Sequence, residues 1–311
     1  MKRTITLFAC TAYALASLWL PQKAAFAEQA APPPGNARPV QVFDDCQGAH
    51  WCPQMVVVPA GSFIMGSPST EPGRDEKGNE EPQHKVTLKS FALGRYDVTR
   101  AEFAVYVQET GRKPVGNCWV DDALSNWVRD PDANWDHPGY KAGENDPIVC
   151  VSWEDAKAYT VWLSQKTGKA YRLQSEAEYE YAARAGTTAA TYWGDTMGSG
   201  NANCAGCGSK WDNRNPSPVG SFAPNAFGLY DMAGNVGQWV EDCAMHSYIG
   251  APADGSAVTH GNCLVRRMRG GAWTHDAQQH DLRSAERESG NITDRGSNLG
   301  FRVARDLARD M

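Results

Sequence analysis

The 311-residue chain predicts a single α+β domain, irregular, loop-rich and stapled by disulfides. Three observations lead there. Eleven Trp and 30 Gly are scattered along the chain, which suits short elements joined by turns and plugged by aromatic side chains. Helix-capping sequences occur three times, all before residue 187, and beyond that point turns and short apolar runs alternate. Eight cysteines follow the N-terminal segment, an even number that reads as disulfides in an oxidising compartment. A composition of 41% apolar and 21% charged residues, without a short-period repeat, excludes a disordered, collagenous or coiled-coil chain. The net charge of −6 and a pI near 5.7 exclude a nucleic-acid binder, which needs a basic face.

Residues 1–27 read as a signal peptide. Lys2 and Arg3 form the basic start, Ile5 to Leu20 the apolar stretch, and Ala25-Phe26-Ala27 the small-residue cleavage site. Cleavage after Ala27 removes Lys2, Arg3 and Lys23 but no acid, so the charge moves from −6 by three units to −9. No later segment is long and apolar enough to span a membrane. The chain is therefore expected to be periplasmic or secreted. Residues 28–45 contain Ala31-Pro-Pro-Pro-Gly35 and read as a stiff Pro/Ala-rich tether, which leaves 46–307 for the folded domain.

Within that domain Met55–Val58 and Ser62–Gly66 read as short strands, 67–83 as a polar surface loop, and Lys85–Leu93 as one alternating strand. Thr99 opens a helix through a capping box with Glu102, and Gly111 stops it. Ser152 and Asp155 open a second helix that ends at Gly168. Ser175 and Glu178 open a third that ends at Gly186. Short separations favour the cysteine pairs Cys46–Cys52, Cys118–Cys150, Cys204–Cys207 and Cys243–Cys263 among the 105 pairings that eight cysteines allow. A zinc reading of Cys204 and Cys207 lacks a second ligand pair beside it.

Several ordered motifs carry a resemblance. They are Met55–Phe63 (MVVVPAGSF), Tyr96–Thr99 (YDVT), Val151–Ala156 (VSWEDA), Tyr171–Glu178 (YRLQSEAE) and Pro218–Phe222 (PVGSF), followed by Asn225–Asn235 (NAFGLYDMAGN), Arg269–Trp273 (RGGAW) and Asn298–Val303 (NLGFRV). Together they resemble the formylglycine-generating enzyme, or sulfatase-modifying factor, family across nearly the whole domain. The resemblance implies a fold distantly like that of C-type lectins.

The sulfatase activators of that family use two cysteines, five residues apart after the Gly-Gly pair, to hold one copper ion. Those positions fall on His275 and His280 here. Thiolate selects Cu(I), whereas imidazole suits Cu(II), iron, zinc or nickel. The pair therefore reads either as ligands of copper or iron, with Asp276 and Asp281 orienting the rings, or as polar loop histidines beside a cleft. Two further departures open the family pocket: Gly237 stands where a Trp is usual, and Ala272 where a Ser is usual. Gly237, Trp239, Ala272 and Trp273 are thus expected to line it.

The resemblance also implies calcium. One set is Asp231, Gln238 and the carbonyls of Gly234 and Val236; a second is Asn203, the Cys204 carbonyl and Asp212. Without metal the same Asn and Asp side chains would satisfy turn amides. Arg283, Arg287 and Arg302 read as braces of a loop-rich core or as an anion site. Glu176, Glu178 and Glu180 have no assigned chemistry, and His246 and His260 read as surface residues. No Ser-His-Asp order, P-loop or dinucleotide fingerprint is present.

Two functions follow. One is an exported, divergent oxidoreductase or maturation factor acting on a peptide, protein client or small molecule, distinct from the two-cysteine copper sulfatase activators. Some relatives lacking the cysteine pair carry out oxidative maturation of peptide-derived metabolites, as the resemblance implies. The other is a non-catalytic, calcium-stabilised binding module on the same scaffold.

Overall fold

The computed structural model describes residues 39–74, 78–114, 116–121, 126–277 and 281–307. The signal peptide and most of the tether lie outside the described residues, as does His280. Order begins before Cys46. Val42–Phe43 forms β1 and pairs antiparallel with Met55–Val58, β2. Asp45 accepts from Tyr171 Oη at 2.6 Å and from Arg305 Nη2 at 3.0 Å. A two-residue strand lies below what sequence periodicity can register.

A five-stranded antiparallel sheet organises the core. Its remaining strands are β5 (Phe91–Gly94), β8 (Tyr171–Leu173) and β13 (Val303–Asp306), in the order β1-β2-β5-β13-β8. Side chains alternate between its faces. Met55, Ala92, Leu173 and Val303 pack toward α1 (Arg100–Thr110) and α2 (Trp153–Thr167), where Phe103, Tyr106, Tyr159 and Leu163 are buried. Val56, Val58, Leu93 and Ala304 pack on the other side against α3 (Glu176–Arg184). Burial on both faces explains why Met55–Val58 is a continuous apolar run.

All three helices start with the expected capping boxes, at Thr99, Ser152 and Ser175. The third ends one residue earlier than expected, with Ala185 itself in the left-handed conformation at φ 45°. The alternating stretch 85–93 divides in two. His84–Leu88 is β4 and pairs with β3 (Gly61–Met65), whereas β5 enters the five-stranded sheet. Alternation signals extended backbone but not a change of partner at Lys89–Ser90.

A second sheet of four strands has the order β11-β10-β9-β12, from Glu288–Asn291, Val265–Arg269, Gly237–Cys243 and Leu299–Phe301. A hairpin, β6 (Cys118–Asp121) and β7 (Trp127–Asp130), flanks it. The four expected disulfides are all formed, so Cys204 and Cys207 are not zinc thiolates.

Every residue of α3 is buried, its charged side chains included. Arg269 donates to Glu176 at 2.9 Å and to Glu180 at 2.8 Å. Arg287 makes a bidentate pair with Glu176, both contacts at 2.7 Å. Arg283 holds Glu80 through both oxygens and also reaches Glu71. Arg302 donates to the carbonyls of Gly94 and Tyr230. The arginines thus brace the core, and the glutamates are their counter-ions.

Asp97 is the exception in this network. It is 1% exposed, neither carboxylate oxygen has a hydrogen-bond partner among the described residues, and Arg302 stands 3.5 Å away. Burial pushes its pKa up to about 7, opposed by Arg302 and reinforced by Asp231. A carboxyl raised in the folded state binds a proton that the unfolded chain releases, so its contribution to stability is lost as pH rises toward 7 and through it. Unfolding by denaturant is expected to need more urea at pH 6 than at pH 8. Asp97→Asn should flatten that dependence by up to about 1.4 kcal/mol per pH unit. An unchanged slope would show that Asp97 does not titrate in this range.

Candidate functional site

One cleft of about 230 Å³ opens over the four-stranded sheet. Its floor comes from adjacent strands: Leu299 on β12 faces Gly237 on β9, and Met268 on β10 faces Glu288 on β11. The hairpin supplies a wall through Trp119 and Trp127. The Cys118–Cys150 disulfide and the bonds Trp119 N–H to Arg295 O and Ser297 N–H to Trp119 O dock that hairpin beside the sheet. The Arg129 guanidinium lies 5.1 Å from the centre of the Trp119 ring and 3.6 Å from Asp294, which also lines the cleft.

His275 enters the cleft from the loop after the Gly-Gly pair. Gly271 has φ 62°, and a Cβ there would stand 2.6 Å from the Asp281 carbonyl, so this turn requires glycine. His275 Nε2 lies 3.0 Å from Glu288 Oε1, while Nδ1 is buried and has no hydrogen-bond partner among the described residues. Burial disfavours the charged imidazole, but the facing Glu288 carboxylate, with Asp281 and Glu286 beyond it, outweighs that and holds the pKa above its ordinary 6.5. Burial likewise disfavours the Glu288 carboxylate, and His275 overcomes this and lowers its pKa. Each group thus favours the charged form of the other, and both line the solvent-accessible cleft.

Of the four residues expected in the pocket, Gly237 lines it. Trp239 is fully buried, its indole N–H donating to Val151 O at 3.1 Å, and a Cβ at Gly290 would touch its ring at 3.0 Å. It belongs to the core beneath the cleft. Ala272 is fully buried, and Trp273 is bonded to Ser297 O and packed edge-on to Tyr140. Sequence reasoning missed Trp119, Trp127, Met268 and above all Glu288, which lies in a polar stretch (ESGN) with no alternation of its own.

His246 and His260 are exposed, as expected. Among the described residues no group of three or more His, Cys, Asp or Glu side chains is placed to hold a metal ion. The expected copper or iron ligand pair cannot be placed as a pair, since Nε2 of His275 faces Glu288 and His280 lies outside the described residues.

The first calcium set also fits poorly. Gln238 Oε1 accepts from Gln174 at 2.8 Å and from Arg302 at 3.3 Å, so a guanidinium already supplies positive charge there. Asp231 Oδ2 accepts from Gly220 N–H, while Oδ1 is buried without a hydrogen-bond partner among the described residues. In the second set Asp212 accepts from Gly206 and Gly208 N–H, both at 2.7 Å, and Asn203 Oδ1 accepts from Ser209. These oxygens do the turn-closing work expected of them without metal.

A mixed, disulfide-stapled domain with this cleft beside a Gly-Gly turn defines the class. The sulfatase-modifying factor enzyme 1-like domain matches residues 42–307, and the chain belongs to that family. It is 32% identical over 290 residues to a formylglycine-generating enzyme of Streptomyces coelicolor, covering 81% of this chain and 88% of that one. It is equally 32% identical over 298 residues to a mouse protein named inactive C-alpha-formylglycine-generating enzyme 2, covering 83% and 87%. Among solved structures, PvdO from Pseudomonas aeruginosa aligns at 42% identity with a TM-score of 0.76, over 87% of this chain and 99% of that chain.

Proposed function

We propose that this protein is an exported, divergent enzyme of its family, an oxidoreductase or maturation factor that acts on a peptide or small molecule in the cleft. One observation carries the reading: His275, at the first of the two family cysteine positions, points into the cleft and is paired at 3.0 Å with Glu288. Export is supported by the signal-like residues 1–27 and by four disulfides. Among the described residues no helix is long and apolar enough to cross a membrane.

The chemistry available is proton transfer. Glu288 favours the protonated imidazole, which can donate a proton to a substrate heteroatom or stabilise developing negative charge. The neutral ring that remains can then take a proton back. Trp119, Trp127 and Met268 would exclude water from one side of the bound group.

The test uses wild type and His275→Ala with metabolite and peptide fractions from the culture medium of the source cells, under air. Products are followed by mass spectrometry for loss of two hydrogens, with dissolved dioxygen as the electron acceptor and the hydrogen peroxide it forms measured in parallel. Turnover by wild type, reduced about 100-fold or more in the variant, is expected. Full activity of His275→Ala would overturn the assignment.

A second reading is a binding module without turnover, favoured by the likeness to a protein named inactive. Retention of a ligand from the same fractions without any product would establish it.

A further inference from the structure

We infer that the Cys204–Cys207 turn is a positioning element for His275, so that the cleft reaches its working geometry once this disulfide closes in an oxidising compartment. Ala205, between the two cysteines, lies alongside the His275 loop: its N–H donates to the His275 carbonyl at 2.9 Å, and its own carbonyl accepts from Ala277 N–H at 2.9 Å. The two bonds clamp the backbone on either side of Asp276. The turn that presents Ala205 is held from three sides. The disulfide closes it, the Asp212 carboxylate ties Gly206 and Gly208 N–H, and Gly200 N–H donates to the Cys207 carbonyl at 2.8 Å. Beneath it Cys204, Cys207, Ala277 and Leu282 share one buried apolar cluster.

A bridge across a separation of 3 residues removes little loop entropy compared with the separations of 20 and 32 residues elsewhere in the chain. Local geometry is therefore its principal effect. Closure is a thiol–disulfide exchange. The two thiols lose two protons and two electrons as the S–S bond forms, and a disulfide-bearing oxidant of the compartment is reduced to its dithiol. The functional weight of the clamp rests on His275 being the reacting side chain, as proposed above.

The experiment compares the full chain with Cys204→Ser/Cys207→Ser and with Cys46→Ser/Cys52→Ser as a remote control. Two quantities are read: hydrogen exchange at the amides of Ala205 and Ala277, and the rate at which diethyl pyrocarbonate modifies His275, resolved by peptide mass. In the first variant both amides are expected to lose protection at least about 10-fold and His275 to react several-fold faster. The control should match wild type in both. Unchanged exchange and reactivity in the folded first variant would overturn the proposal. Should that variant fail to fold, Asp212→Ala decides, since it keeps the disulfide and frees the turn. Faster His275 modification there supports the clamp, and an unchanged rate overturns it. A fully active His275→Ala would overturn the functional reading alone, leaving both readouts of the clamp intact.

Discussion

Replacing Arg269 by Met is expected to cost about 3–5 kcal/mol of folding free energy, the range for removing one partner from a buried ion pair. Arg269 is 1% exposed and lies between Glu176 and Glu180 of α3, with a further bond to Ser284 O at 2.7 Å. Methionine fills much of the volume but leaves Glu180 with Arg184 as its remaining cation and Glu176 with Arg287. The surviving charges would then be under-compensated in a region closed to water. Thermal unfolding should show the loss as a drop on the order of 10 °C. The contrasting change is Asp306→Ala. Its partner Arg172 is also held by Glu178, and the Asp306 side chain is 80% exposed, so the midpoint should barely move. Equal effects of the two changes would mean that the buried network is no more important than a surface pair.

Gly237→Trp is expected to close the cleft while sparing the fold. Gly237 does not lie in the left-handed region, and a Cβ there would meet Leu299 and Asn298 O at 3.5 and 3.6 Å, ordinary contact distances. Nothing in the backbone therefore demands glycine, and the indole would extend into the space between Met268 and Leu299. Ligand retention and turnover should fall at least about 100-fold through direct steric exclusion. The melting midpoint should stay within a few degrees, and Gly237→Ala should behave like wild type. Measured binding that survives the Trp substitution would place the ligand elsewhere.

The scaffold of this site was readable in the sequence where a local rule governs the outcome. Thr99 with Glu102, Ser152 with Asp155 and Ser175 with Glu178 each complete a capping box within four residues, and the pairs Cys46–Cys52 and Cys204–Cys207 are likewise short-range. His275 and Gly237 were located by motif, and both line the cleft. Glu288 was not found because its importance comes from strand register, β11 against β10, which sets it opposite Met268 and within reach of a loop thirteen residues earlier. Trp119 and Trp127 belong to a hairpin whose sequence gives no sign that it stands over another sheet. Trp239 misled in the opposite direction. A large aromatic two residues from Gly237 looks like a pocket wall, yet Gly290 and Met268 cover its ring.

The place of β13 has a consequence for how the protein is made. Residues 303–306 lie inside the five-stranded sheet, paired with β5 on one side and β8 on the other. Strands encoded early in the chain thus meet through one encoded more than two hundred residues after β5. Until β13 is made, β5 has one unpaired edge and β8 has no partner in this sheet, and until residues 269 and 287 are made α3 lacks the arginines that neutralise it. The five-stranded sheet therefore cannot be completed before β13 is available. Such late, non-local pairing is slow to form, and here it follows from the order of strands in a single sheet.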